Sequence, residues 1–142
     1  MRRRDDQGFF SVWTVAISIS IVAVIALTID AGRILRARSE AYGTAAAAAR
    51  FGASRIDERT AVATGVVVVD PVAARQAIDE FLATEGYTDL DGFQRTITVE
   101  GLEVTVRIQH QVEARSALDL GAFDIDATAT AEAVPVDPAT LP

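Results

Sequence analysis

The chain has 142 residues, half of them hydrophobic, with 13 basic side chains (all arginine), 20 acidic ones and a net charge of −7. That length allows one small domain once any membrane segment is set aside, and the lack of cysteine excludes disulfides and thiol chemistry. Residues 1–55 carry eight arginines against Asp5, Asp6, Asp30 and Glu40, a net of +4, whereas residues 56–142 carry five arginines against sixteen acids, a net of −11. An acidic exterior of this kind repels phosphate backbones, so no nucleic-acid partner is expected.

A basic tail at 1–8 leads into the first element. From Phe9 to Ile29 there is no charged residue, a run of 21. At about 1.5 Å per residue a helix of this length spans roughly 31 Å, close to the hydrocarbon thickness of a bilayer. Signal-peptide cores are shorter, about 7–15 residues, and end at a small-residue cleavage site. Ser11, Thr14, Ser18, Ser20 and Thr28 are tolerable inside such a run because their hydroxyls can bond back to helix carbonyls. A transmembrane helix is therefore expected at 9–29, with the lipid bilayer as its first partner. Arg2, Arg3 and Arg4 nearly balance Arg33, Arg36 and Arg38, so charge alone leaves the orientation open. The shortness of the leading tail places the N-terminus inside.

Beyond Asp30 nothing stops a helix until about residue 56. Gly32 and Gly43 each cost roughly 1 kcal/mol against alanine, but the alanine run is the best helix former available. An alanine-rich helical extension is expected at 30–55. Leu35, Tyr42, Ala49 and Ile56 recur every seven residues as a narrow apolar seam. Ala41, Ala45, Ala49 and Ala53 form a ladder of small side chains that allows close approach of another element. Two destinations stay open for that ladder, the chain's own domain or a second helix in an assembly. In the second case, Ala45→Leu or Ala49→Leu should weaken assembly while the domain stays folded.

The stretch from Asp30 to Ala53 resembles the N-terminal signature of the Flp pilus-assembly TadE/TadG-like family. The residues carrying the resemblance are Asp30, Gly32, Arg33, Arg38, Ala45, Ala48, Ala49, Gly52 and Ala53, in the order "DAGR", arginine, "AAAAARFGA". Gly43 and Ala46 stand where asparagine and aspartate are common in that family. The resemblance covers roughly the first 55 residues. It implies a minor pilin-like or assembly component of a Tad-type pilus or secretion apparatus, held in the cytoplasmic membrane by a single pass with its domain outside. Its implied partners are other pilus or pilin-like subunits, in a homo- or hetero-oligomer, docking through Asp30, Gly32, Arg33, Arg38 and the alanine ladder. Gly8-Phe9, at the border between charge and apolar run, looks like a prepilin processing site. Prepilins carry glutamate at the fifth position after the cut, and here that position is Trp13, whose ring instead suits a membrane interface. The segment reads as a permanent anchor, with Gly8 and Phe9 as its candidate processing site.

The remainder, 56–134, reads as an α+β domain. A strand is expected at Val66–Val69 and a helix at 71–85, with Asp70 as N-cap, Pro71 in the first turn and Gly86 as the stop. Ala74, Ala77, Ile78, Phe81 and Leu82 line one face of that helix. Three alternating segments follow, "RTITVE", "GLEVTVRIQH" and "DIDATATAEAV". They predict an antiparallel sheet with one buried face, a hairpin at Glu100-Gly101 and "SALDLGAF" as the next connection. The 71–85 helix is the expected cover for the three- or four-stranded sheet, in a broadly pilin-like arrangement. Three prolines among the last eight residues read as a loose tail at 135–142.

Little in this sequence points to catalysis. His110 is the only histidine and keeps the parity of the apolar strand face, as a hydrogen-bonded core histidine would. "DLDG" at 89–92 lacks the later ligands of a calcium loop and reads as a turn. Neither a zinc site nor a catalytic dyad can be assembled, so no enzyme, metal or cofactor is expected. The rival to a pilus component is a membrane-tethered extracytoplasmic binding or sensory module.

Overall fold

The computed structural model describes residues 5–113 and 121–134; the expected tail at 135–142, residues 1–4 and most of the connection at 116–123 lie outside the described residues. The architecture is α+β. A long helix α1 (Asp5–Ala53) is followed by α2 (Glu58–Thr64), α3 (Pro71–Thr84), a 3-10 turn at Tyr87–Asp89, and strands β1 (Gln94–Glu100), β2 (Glu103–Glu113) and β3 (Ala122–Glu132).

α1 runs unbroken for 49 residues, roughly 74 Å at helical rise. Within its apolar part Ser18, Ser20 and Thr28 each donate to the carbonyl four residues back, at 2.8 Å, so these hydroxyls cost no unpaired polar group. It is the one helix among the described residues long and apolar enough to cross a membrane. Two quite different environments share this one rod. Side chains from Ser11 to Ile29 are exposed, with only Ala23 and Ala26 intermediate, while the stretch from Ala41 to Ala53 supplies much of the domain's core.

The sheet is antiparallel in the order β1-β2-β3. Glu100 pairs with Glu103 across Gly101-Leu102, one residue beyond the turn expected from sequence, and Gly101 takes a φ of 62°. β2 and β3 pair over eleven residues from Glu103↔Glu132 to Glu113↔Ala122. Val104, Val106, Ile108 and His110 on β2, with Ile125 and Ala127 on β3, turn inward and are buried.

The main cluster joins Ala45, Ala48, Ala49 and Ala53 of α1 to Ala74, Ile78 and Leu82 of α3 and to Val104, Val106 and Ile108 of β2. A second cluster, lower on α1, joins Ala41 to Ile125 and Ala127, with Ile34, Ala37, Tyr87 and Val112 around it. α1 lies along β2 and β3, whereas α3 touches the sheet chiefly at β1 and otherwise packs on α1. The alanine-rich stretch of α1 thus provides more of the sheet's cover than α3 does. The reason is steric: small residues on α1 meet the small residues Ala127, Ala129 and Ala131 of β3, so the helix can approach closely.

α3 begins and ends as its residues predict. The Asp70 carboxylate accepts from the amides of Val72 (2.8 Å) and Ala73 (3.1 Å), and Gly86 at φ 75° ends the turn beyond it. One local expectation fails. Val66–Val69 is not a strand: it forms a single bridge, Val69 to Ile56, where the Asp57 amide donates to Val68 O at 2.9 Å and the Asp70 amide to Arg55 O at 2.7 Å. Residues 58–64 form α2, capped by Asp57, which accepts from Arg59 N and Thr60 N, both at 3.1 Å.

Candidate functional site

The candidate docking residues divide by position on α1. Ala41, Ala45 and Ala49 are fully buried and Ala53 is 3% exposed, all against the chain's own α3 and sheet. Of the two destinations left open for this ladder, the chain's own domain occupies it in the structure. The seven-residue seam fails for a related reason. A straight helix drifts by about 20° per heptad against such a repeat, so Leu35 and Tyr42 face outward while Ala49 faces the core. The buried face follows the three- and four-residue steps 30, 34, 37, 41, 45, 48 and 52 instead.

The membrane-proximal members of the set are Asp30, Gly32, Arg33 and Arg38. Gly32 is exposed, with no atom of another element within 4 Å of where a Cβ would stand. Arg38 lies over the ring of Tyr42, 5.8 Å from its centroid, and its charge also reaches Asp126. Asp30 is 2% exposed, and among the described residues neither carboxylate oxygen has a hydrogen-bond partner. A buried carboxyl without a partner is costly unless something outside the described residues completes it. The candidate processing pair Gly8 and Phe9 lies within the helical backbone of α1.

Arg33, one turn above Asp30, lines a cavity of about 290 Å³ together with Asp89, Leu90, Asp91, His110, Gln111, Val112 and Glu113. Three elements build it. α1 supplies Arg33, the turn after α3 supplies Asp89, Leu90 and Asp91, and the far end of β2 supplies the rest. The turn is held to β2 by the Gln111 amide donating to Asp91 O at 2.9 Å. "DLDG" is thus a turn, as read from sequence, with Gly92 at φ 66°. Among the described residues Arg33, Asp89, Asp91 and Glu113 form no ion pair, and no group of three acidic or histidine side chains is placed to hold a metal ion. His110 is 6% exposed and edge-on to Tyr87 at 5.7 Å between centroids, and among the described residues its Nδ1 lacks a partner. The sequence singled out Arg33 and His110 separately. Their meeting with Asp89, Asp91 and Glu113 is a tertiary fact, and no local spacing signals it.

The opposite, solvent-facing side of the sheet is knit by polar pairs. Arg107 holds Asp126 through two contacts, Nε to Oδ1 at 3.0 Å and Nη2 to Oδ2. Gln109 adds a third at 3.3 Å, and Thr105 pairs with Thr130 at 2.8 Å. The Arg107 hydrogen bonds hold the Asp126 carboxyl below the usual range. On the far side of the domain, Arg75 and Arg95 flank Asp79 beside a wider cleft lined by Phe93, Gln94 and Ile97. Arg95 is already paired with Asp79 there, at 2.5 Å.

Comparison of the chain with protein-family models, with curated proteins and with solved structures finds no match.

Proposed function

We propose that this protein is a single-pass membrane component with a small extracytoplasmic α+β domain, acting structurally, as a minor pilin-like subunit or assembly factor of a Tad/Flp-type pilus or related secretion apparatus. The observation that carries this reading is the division of α1. Its apolar stretch from Ser11 to Ile29 is exposed apart from partial cover at Ala23 and Ala26, and the same helix continues directly into a packed domain. Exposed apolar side chains over about 30 Å of helix match the hydrocarbon layer of a bilayer. The rigid continuation fixes the domain's height and rotation relative to that layer, as a subunit in a regular assembly requires. The resemblance at Asp30–Ala53 supports the pilus context, and the Asp30 carboxylate, without a partner among the described residues, supports a contact with another chain near the membrane surface.

Docking through the buried alanine ladder is not available to a folded subunit, so contacts with other subunits fall to the membrane segment and to the outward stripe carrying Leu35 and Tyr42, 67% and 42% exposed. The chain has no native cysteine, so single cysteines at Leu35 and Tyr42 can be crosslinked without background. Crosslinks to a second copy or to a pilus subunit in native membranes are expected, and a monomer at both positions would overturn the assembly role. A periplasmic-active reporter fused after Pro142 should be active, and activity of a cytoplasmic reporter there would reverse the topology.

The second reading, a tethered binding module, draws on the cavity at Arg33. Copurification from native membranes distinguishes the two, since a binding module is recovered without pilus subunits.

A further inference from the structure

We propose that copies of this chain associate side by side in the membrane, the outward face of α1 in one copy docking on the solvent-facing side of the next copy's sheet. The proposal deepens the assembly reading above and rests on residues 9–29 as a membrane span.

Charge is the first argument. α1 covers the inner side of β2 and β3, so its outward face and the outer side of the sheet lie on opposite flanks of the domain. Above the membrane segment α1 exposes Arg33, Arg36, Arg38, Arg50 and Arg55 against Glu40 alone, a net of +4. The outer side of the sheet carries Glu100, Glu103, Glu113, Asp124, Asp126 and Glu132 against Arg107 alone, a net of −5. Opposite signs on opposite flanks favour a head-to-tail contact between copies. Two like flanks repel, which disfavours a face-to-face two-fold dimer.

Height is the second. Arg36 and Arg50 lie about 21 Å apart along the outward side of α1, and Asp126 and Glu132 lie about 20 Å apart along β3. Within one copy the two sets are level: Arg50 and Glu132 border the same cavity, and Ala37 packs beside Ile125. The membrane span holds every copy at one height. A sideways step alone therefore brings Arg50 to the neighbour's Glu132, and Arg36 to its Asp124 and Asp126. Between the two arginines α1 exposes only small groups at Ser39 and Gly43, opposite the short side chains of Thr105, Thr128 and Thr130.

The third argument is the row of glutamates at the hairpin. Glu100, Glu103 and Glu132 stand directly opposite one another across the three strands, an arrangement that costs stability. Among the described residues none of them forms an ion pair, and neither does Arg50. A neighbour's Arg50 offsets that cost. Lipid does not serve instead at this level, since Arg50 stands about 31 Å beyond Ile29, several Debye lengths from the headgroups. Arg36 is held only by the exposed Glu40, at 3.2 Å, a kind of pair weak enough to exchange for one across the contact.

The chain has no native cysteine, so the test co-expresses two differently tagged full-length chains in one membrane, Gly43→Cys and Thr128→Cys, and oxidises them. Both positions are exposed, one on each flank. The mixed disulfide should exceed the product of either variant with itself by about fivefold. Arg50→Glu in the Gly43→Cys chain, or Glu103→Arg with Glu132→Arg in the Thr128→Cys chain, should each lower the mixed product about fivefold. Both changes together should restore it, which a merely misfolded variant would not do. Self-products equal to the mixed one, indifference to charge reversal, or failure of the combined change to restore the yield overturns this interface. Absence of the mixed product while cysteines at Leu35 or Tyr42 crosslink overturns it and leaves the assembly role standing. Monomers at all four positions overturn both.

Discussion

Gly52 on α1 lies against Ile78 on α3 so closely that a Cβ added at Gly52 would stand 2.6 Å from Ile78 Cδ1, 3.0 Å from its Cγ1 and 3.3 Å from Val104 Cγ1. This is the point where α1, α3 and β2 converge, and only the smallest residue admits all three. Ile78 is itself fully buried, so its side chain has no free space to retreat into. Gly52→Ala should therefore destabilise the domain: overpacking costs typically about 1–3 kcal/mol, against a helix-propensity gain of about 1 kcal/mol. Gly43→Ala, on the same helix with no neighbour within 4 Å, should stabilise by about 0.5–1 kcal/mol. Denaturant unfolding of both full-length variants in one detergent checks the pair. Equal shifts would mean that the convergence at Gly52 is not tight.

The buried ladder makes a second, opposite claim to the one its spacing first suggests. Ala49→Leu forces three extra carbons between α1 and the sheet, where Ala49 has no exposure. The domain should lose about 1–3 kcal/mol or more, and any loss of assembly should follow from that unfolding. Leu35→Ala, on the outward stripe, should change stability by less than about 0.5 kcal/mol. Amide hydrogen exchange of β2 separates the outcomes: protection should fall in the first variant and hold in the second.

The physical basis of what was legible in the sequence is visible in particular elements. α3 was readable because its signals are local, Asp70 and Pro71 at one end and Gly86 at the other. The strands were readable because alternation in "EVTVRI" and "DATATA" reports one buried face without reference to what buries it. The cover was not readable. Ala41, Ala45, Ala49 and Ala53 have the same spacing whether they meet a sheet or a helix, and only the alanines of β3 decide between them. Val66–Val69 had the composition of a strand but bridges another segment only at Val69–Ile56, and composition does not report neighbours. The cavity at Arg33 brings together residues from 33, 89–91 and 110–113, and no pattern within any one segment implies the other two.

Asp30 supports a third prediction. Its carboxylate is buried without a hydrogen-bond partner among the described residues, so replacing it by an apolar residue of similar size should stabilise the isolated chain. Asp30→Leu is expected to raise stability by about 1–4 kcal/mol, the range seen when buried charge is exchanged for packed hydrocarbon. If the carboxylate serves a cation on a neighbouring subunit, the same variant should reduce crosslinking at Leu35 and Tyr42. Destabilisation by Asp30→Leu would show that the carboxylate is satisfied within the chain.

The acid limb of stability gives the last prediction. Asp126 is held below its ordinary value of 3.8 chiefly by hydrogen bonds from Arg107, and Asp57 chiefly by the Thr60 hydroxyl and amide. A carboxylate whose folded value is depressed adds stability above its unfolded value, and that stability drains away as pH falls through the folded value. From neutrality down to about pH 4 these two groups should therefore leave stability unchanged, with the loss beginning only below the ordinary carboxylate range. Arg107→Gln lets Asp126 titrate nearer its unfolded value, so the variant should be weaker at neutral pH and lose less on acidification. Both Arg107 and Asp126 are nearly half exposed, so the effect should be small and should shrink further in high salt. Urea midpoints of the two proteins, followed from about pH 7 to pH 2.5, should converge at the acid end. Parallel curves across that range would show that the Arg107–Asp126 pair contributes nothing to folding.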